Sequence, residues 1–297
     1  MVVSTSAANA ASNAAIPHNN IEDLRVTLDG ISWRYQRTGS GPPLLLVHGL
    51  LGYSFSWRFT IPALAKAATV YAMDMPGTGF SDRPRGLDCS MHACAERLLR
   101  FMDDLALTHC DVLATSHGGA VTMTVAALNP GRIRRMALAA PVNPWSARGK
   151  LLSLFLTNPF VAHVLLALGP RVQLLQEFYL RRLYGDTRRI PPDALEGYLK
   201  PVRQRPGSID YGLSVLRTWN RDLQQLQSLL PRIADIPTLL IWGSLDGAVS
   251  PASASRLQHE FRHCRLLTFD GVGHLPYEEM PDEFNRAVIE FLAPRHR

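Results

Sequence analysis

From residue 21 onward, short continuous apolar runs alternate with apolar residues at helical spacing. Residues 24–28 and 31–37 read as two strands joined by a turn at Asp29-Gly30. Residues 43–47 and 69–73 are brief unbroken apolar runs, as expected of strands covered on both faces. Residues 90–107 place Leu98, Leu99, Met102 and Leu105 at helical spacing behind Ser90, a residue suited to cap a helix. Then come a strand at 111–115, a helix at 117–128 closed by Pro130-Gly131, and a strand at 133–140. With right-handed crossovers this β-α-β-α-β order predicts an α/β fold: a mostly parallel central sheet with helices on both faces.

The texture changes near Val142. Up to about Ile233 the pattern is helical (151–156, 161–168, 172–183, 192–199 and 208–229), with breakers at Gly169-Pro170, Pro191-Pro192 and Pro206-Gly207. Strand patterns return at 237–242 and 264–269, with helices expected at 252–262 and 281–292. The simplest organisation is one sheet domain, 21–141 plus 233–297, interrupted by an all-helical insertion, 142–232. Residues 1–20, rich in Ala, Ser and Asn, read as a disordered tail with neither the basic start nor the apolar stretch of a signal peptide.

Composition narrows the function classes. Of 297 residues, 46% are apolar, which suits a globular chain. The formal charge of +6 is scattered over small groups such as Arg132, Arg134 and Arg135, so it reads as solvated surface and not as a nucleic-acid site. Cys89, Cys94, Cys110 and Cys264 form no CxxC or zinc spacing and read as free thiols of a reducing cytosol, hence a cytoplasmic location. The apolar stretch 151–168 is broken by Asn158-Pro159 and holds His163, so a helix pair is expected there; a membrane-touching face is the minority alternative, and membrane contact is not the expectation.

The chemistry lies where strands empty into loops. Ala114-Thr115-Ser116-His117-Gly118-Gly119 takes a strand abruptly into a helix, the setting of G-x-S-x-G with Ala at its first position. Such a turn needs small residues on either side and projects the Ser116 hydroxyl from the carboxyl edge of the sheet. Upstream, an apolar strand runs into His48-Gly49-Leu50. Acyl transfer needs two donors aimed at a developing oxyanion, and the Leu50 and His117 backbone N–H groups are the candidates. Gly49 and Gly118 permit close approach, and His48 is expected to pin its own loop. Among ten histidines, His274 follows an apolar strand on a glycine-rich loop, where a base can reach a serine. Asp246, on the loop after the 237–242 strand, is expected to orient it; Asp270 is the competitor.

These segments, in the order Ser116, Asp246, His274, resemble the α/β-hydrolase superfamily. A fifth similarity is Asp74-Met-Pro-Gly-Thr-Gly-Phe-Ser-Asp-Arg-Pro84. The resemblance implies that 142–232 is a cap domain whose aromatic residues (Phe155, Phe160, Phe178, Tyr179, Tyr184, Tyr198, Tyr211, Trp219) either line a pocket or simply pack between helices, the second being preferred. Epoxide- and halide-cleaving relatives use Asp as nucleophile, which Ser116 argues against. The expectation is therefore a serine hydrolase of carboxylic esters, taking a small substrate with an apolar portion. Carbon–carbon bond hydrolysis and thioester hydrolysis or acyl transfer are alternatives on the same triad, and a ligand-binding receptor with little turnover is the rival from another class. No metal motif, dinucleotide fingerprint or P-loop lysine is present, so no cofactor is expected. Oligomeric state is not legible.

Overall fold

The structure, a computed structural model, describes residues 21–146, 153–168, 173–205 and 207–293. β1 (Glu22–Leu28) and β2 (Ile31–Thr38) form a hairpin whose two-residue turn puts Asp29 and Gly30 at positive φ, as a turn matched to strand twist demands. The sheet continues through β3 (Pro43–Val47), β4 (Thr69–Met73), β5 (Cys110–Thr115), β6 (Ile133–Ala139), β7 (Thr238–Gly243) and β8 (Cys264–Phe269), in the spatial order β1-β2-β4-β3-β5-β6-β7-β8. β2 joins β4 antiparallel; every pair from β4 to β8 is parallel.

The unbroken apolar runs are explained by burial on two faces. Alternate residues point to opposite sides of a strand. Leu45 and Val47, Met136 and Leu138, and Leu240 and Trp242 enter one apolar core. Their neighbours Leu44 and Leu46, Ala137 and Ala139, and Leu239 and Ile241 enter the other. The first core also takes in α2 (Met91–Asp104) and α3 (Ser116–Leu128). The second includes residues of α1 (Ile61–Leu64) and of the closing helix, Pro281–Leu292. Ser90 caps α2 by accepting the Ala93 N–H at 3.3 Å.

Between β6 and β7 the described residues hold helices and no strand: α4 (Pro159–Leu168), α5 (Gln173–Arg181), α6 (Ala194–Gln204) and α7 (Ser208–Leu229). The helix expected to stop at residue 199 runs on through Pro201. Proline lacks the N–H that would reach back to Gly197 O; the Tyr53 hydroxyl donates to that carbonyl instead, at 2.7 Å. α8 (Ala252–His259), the short α9 (Pro276–Glu279) and α10 (Pro281–Leu292) complete the chain, α8 ending three residues short of the expected 262. The tail 1–20 and residues 151–152 of the expected first insertion helix lie outside the described residues.

Two expectations need correction. Tyr184, Tyr211 and Trp219 are buried, but against the sheet domain (Glu278, Gly77 and His117) and not between insertion helices alone, while Phe155, Phe160, Phe178 and Tyr179 are each more than half exposed. The basic group at 132–135 is not merely solvated: Arg134 and Arg135 pair with the buried Asp111 at 3.4 and 2.6 Å, and Arg132 pairs with Asp103 at 2.7 Å.

Candidate active site

Because β5 to β8 are parallel, their carboxyl ends share one edge, and Ser116, Asp246 and His274 each follow a strand there. Thr115 is extended, whereas Ser116 opens α3 at φ 51°. That left-handed conformation disfavours a β-carbon by roughly 1–2 kcal/mol. It is held in place: the Ser116 carbonyl accepts from Val142 N at 2.9 Å. A β-carbon on Gly118 would run into the His48 carbonyl, and one on Gly119 would lie 2.6 Å from Pro141 Cβ. Ala114 is completely buried between Val47 of β3 and Leu138 of β6, so its methyl fits where the motif has glycine.

The His48-Gly49-Leu50 loop passes directly against the serine, for a β-carbon on Gly49 would lie 3.0 Å from Ser116 Cβ. His48 is a buried pin. Its Nε2 accepts from Met75 N at 3.0 Å, so its Nδ1 carries the proton and donates to Gly49 O at 2.8 Å. Burial lowers its pKa. Met75 belongs to the 74–84 loop, which is itself structural: the fully buried Asp74 accepts from Ser54 N and Phe80 N, each at 2.8 Å. The His117 ring is also buried, stacks on Trp219 of α7 at 6.3 Å between centroids, and has its pKa lowered to about 4 by burial and by His48. Its backbone N–H lies one residue beyond Ser116, at the start of α3.

His274 Nδ1 faces Asp246 Oδ2 at 2.8 Å, with both side chains buried. The other carboxylate oxygen of Asp246 accepts from Ala248 N and Val249 N at 2.8 and 2.9 Å. Asp246 is thus a fixed acceptor, which sets Nδ1 as the protonated nitrogen and leaves Nε2 as the basic one. Asp270 is occupied elsewhere, accepting from the Ser244 hydroxyl at 3.0 Å. A β-carbon on Gly243, at the end of β7, would collide with the Gly273 carbonyl, so glycine there admits the His274 loop.

Sequence reasoning missed the polar groups behind this loop. Glu278, with no exposed side-chain surface, pairs with Arg58 at 2.9 Å and accepts from the Tyr184 and Tyr198 hydroxyls. Burial opposes the charge on Arg58, but Glu278 more than offsets it and the guanidinium pKa is raised. Burial, reinforced by Glu278, raises the Tyr184 and Tyr198 phenols. Glu279 accepts from the backbone N–H groups of Gly273, Gly185 and Asp186. The available signal was two adjacent acids, Glu278-Glu279, inside an otherwise apolar stretch just after His274.

Comparison with known proteins follows the same lines. The family model of the alpha/beta hydrolase fold matches residues 42–281. The chain is 32% identical to the dihydrolipoyllysine-residue acetyltransferase component of an acetoin cleaving system from Pseudomonas putida, over 85% of this chain and 64% of that protein's length. It is 28% identical to a 2-hydroxy-6-oxo-2,4-heptadienoate hydrolase of Pseudomonas putida, over 92% of this chain and 98% of that one. The crystal structure of Cfl2 from Burkholderia cenocepacia superposes with a TM-score of 0.81 at 22% identity, covering 94% of this chain and 98% of that one; this likeness concerns the fold alone.

Proposed function

We propose that this chain, which belongs to the α/β-hydrolase family, hydrolyses carboxylic esters through an acyl-enzyme on Ser116. The observation that carries the reading is the His274–Asp246 contact at 2.8 Å, with the second Asp246 oxygen held by two backbone N–H groups. Ser116 Oγ attacks the ester carbonyl carbon while His274 Nε2 takes its proton. The Leu50 and His117 N–H groups stabilise the oxyanion. The alcohol leaves with the proton from His274, and water, deprotonated by the same nitrogen, releases the acid. His48, Gly49 and Gly118 support this arrangement without touching the substrate. The helical insertion acts as a cap, and its exposed Phe155, Phe160, Phe178 and Tyr179 are available to the apolar portion of a substrate.

A second reading, hydrolysis of a carbon–carbon bond on the same triad, is favoured by the end-to-end similarity to the Pseudomonas heptadienoate hydrolase. Turnover of p-nitrophenyl esters of short, medium and long acyl chains, beside a 2-hydroxy-6-oxodienoate, separates the two. Ester turnover that falls about 10³-fold or more in Ser116→Ala supports the first reading. Turnover of the dienoate alone replaces it with the second, and turnover of neither removes both.

A further inference from the structure

His274 is held from two sides. From the sheet, Asp246 grips its ring. From the insertion, Leu183 O accepts the His274 backbone N–H at 2.7 Å. Glu279 closes this second contact. Its carboxylate, with no exposed side-chain surface, accepts from Gly273 N at 2.7 Å, Gly185 N at 3.0 Å and Asp186 N at 3.2 Å. One side chain therefore fixes the residue before the base and two residues of the insertion segment that grips it. The two segments meet backbone to backbone. A β-carbon on Gly185 would lie 2.7 Å from both Gly271 O and Gly273 N, and one on Gly273 would collide with Leu183 O.

Packing does not require a charge here. Burying a carboxylate is unfavourable unless it is well hydrogen-bonded, and an apolar residue of similar volume would fill the space without that penalty. What an apolar residue would lack is acceptors for three backbone N–H groups converging from two separate parts of the chain. Arg189, 3.8 Å away, is a distant counter-charge.

We propose that Glu279 is a positioning residue for the general base: it clasps the insertion segment 183–186 to the His274 loop and so sets where Nε2 meets Ser116. The proposal rests on the reading of His274 as the base. Misplacing a reacting group by about 1 Å lowers a rate on the order of 10²-fold.

The test is the rate at which a fluorophosphonate phosphonylates Ser116, together with the far-downfield proton resonance of the His274–Asp246 hydrogen bond. Glu279→Gln keeps the volume but turns an amide toward one of the N–H groups; Gly185→Ala forces the same segments apart from the insertion side and serves if the first variant does not fold. Asp111→Asn is the control, since it breaks a buried ion pair at the opposite end of β5. The expected result is labelling slowed ~10- to 100-fold in Glu279→Gln and Gly185→Ala, with Asp111→Asn less stable but labelled at the wild-type rate. Wild-type labelling in Glu279→Gln, or a loss no larger than that of the control, overturns the proposal. If the wild type takes no label, the serine-hydrolase reading fails by itself and the proton resonance decides. Its loss or displacement in Glu279→Gln but not in Asp111→Asn supports positioning, and an unchanged resonance overturns it.

Discussion

At the scale of single residues, strain and burial concentrate around Ser116. The serine sits at positive φ, and the ring of the next residue, His117, is buried with its pKa lowered to about 4 against an ordinary 6.5. That depression has a stability consequence with a definite sign. Above pH 6.5 the ring is neutral in folded and unfolded chains alike, and its favourable burial is fully present. Below 6.5 the unfolded chain takes the proton first, so stability is lost at on the order of 1.4 kcal/mol per pH unit until the folded ring protonates near pH 4. Between pH 6.5 and 5 the loss through His117 is about 2 kcal/mol, and His48, also lowered by burial, acts in the same direction. Urea unfolding across this range should show the loss, and His117→Met should flatten it; equal slopes in both proteins would mean that His117 is not buried neutral. Ser116, Asp246 and His274 were legible as candidates because each follows a strand on a short loop with glycine beside it. Between Asp246 and Asp270 the sequence offered only a preference; in the fold Asp246 is the one that contacts His274, and Asp270 accepts from Ser244.

At the scale of elements, the helical insertion is tied to the sheet domain by polar contacts that no hydrophobic period reports. Arg58, beside the Ser54–Trp57 turn, meets Glu278 of α9, and Glu278 receives the hydroxyls of Tyr184 and Tyr198 from the insertion. Arg58→Met would leave that carboxylate buried without its counter-charge, a loss of about 3–5 kcal/mol for such pairs. Guanidinium unfolding should show a drop of that size, partly recovered when Glu278→Gln is added; a change below about 0.5 kcal/mol would mark the pair as surface-like. The sequence showed the two acids but not their partners, because tyrosines 80 to 94 residues away come into reach through tertiary packing. The same holds for Pro201. Read locally it ends a helix; in the fold, Tyr53 takes over the carbonyl that proline leaves unpaired.

At the scale of the whole molecule, the parallel sheet and the order of its strands put three chemically distinct loops at one edge, and this much was legible from alternating apolar runs. The β1–β2 hairpin was legible too, from its Asp29-Gly30 turn; its antiparallel docking on β4, and the aromatic surface left open on the insertion, depend on how elements pack and were not. No described helix is long and apolar enough to cross a membrane. The central claim is that this edge activates Ser116 as a nucleophile. Intact-protein mass after exposure to a fluorophosphonate, with peptide mapping of the adduct, tests it most directly. The account predicts one adduct on Ser116 in the wild type, none at that position in Ser116→Ala, and much slower labelling in His274→Ala; a wild type that stays unlabelled, or carries its label elsewhere, would contradict it.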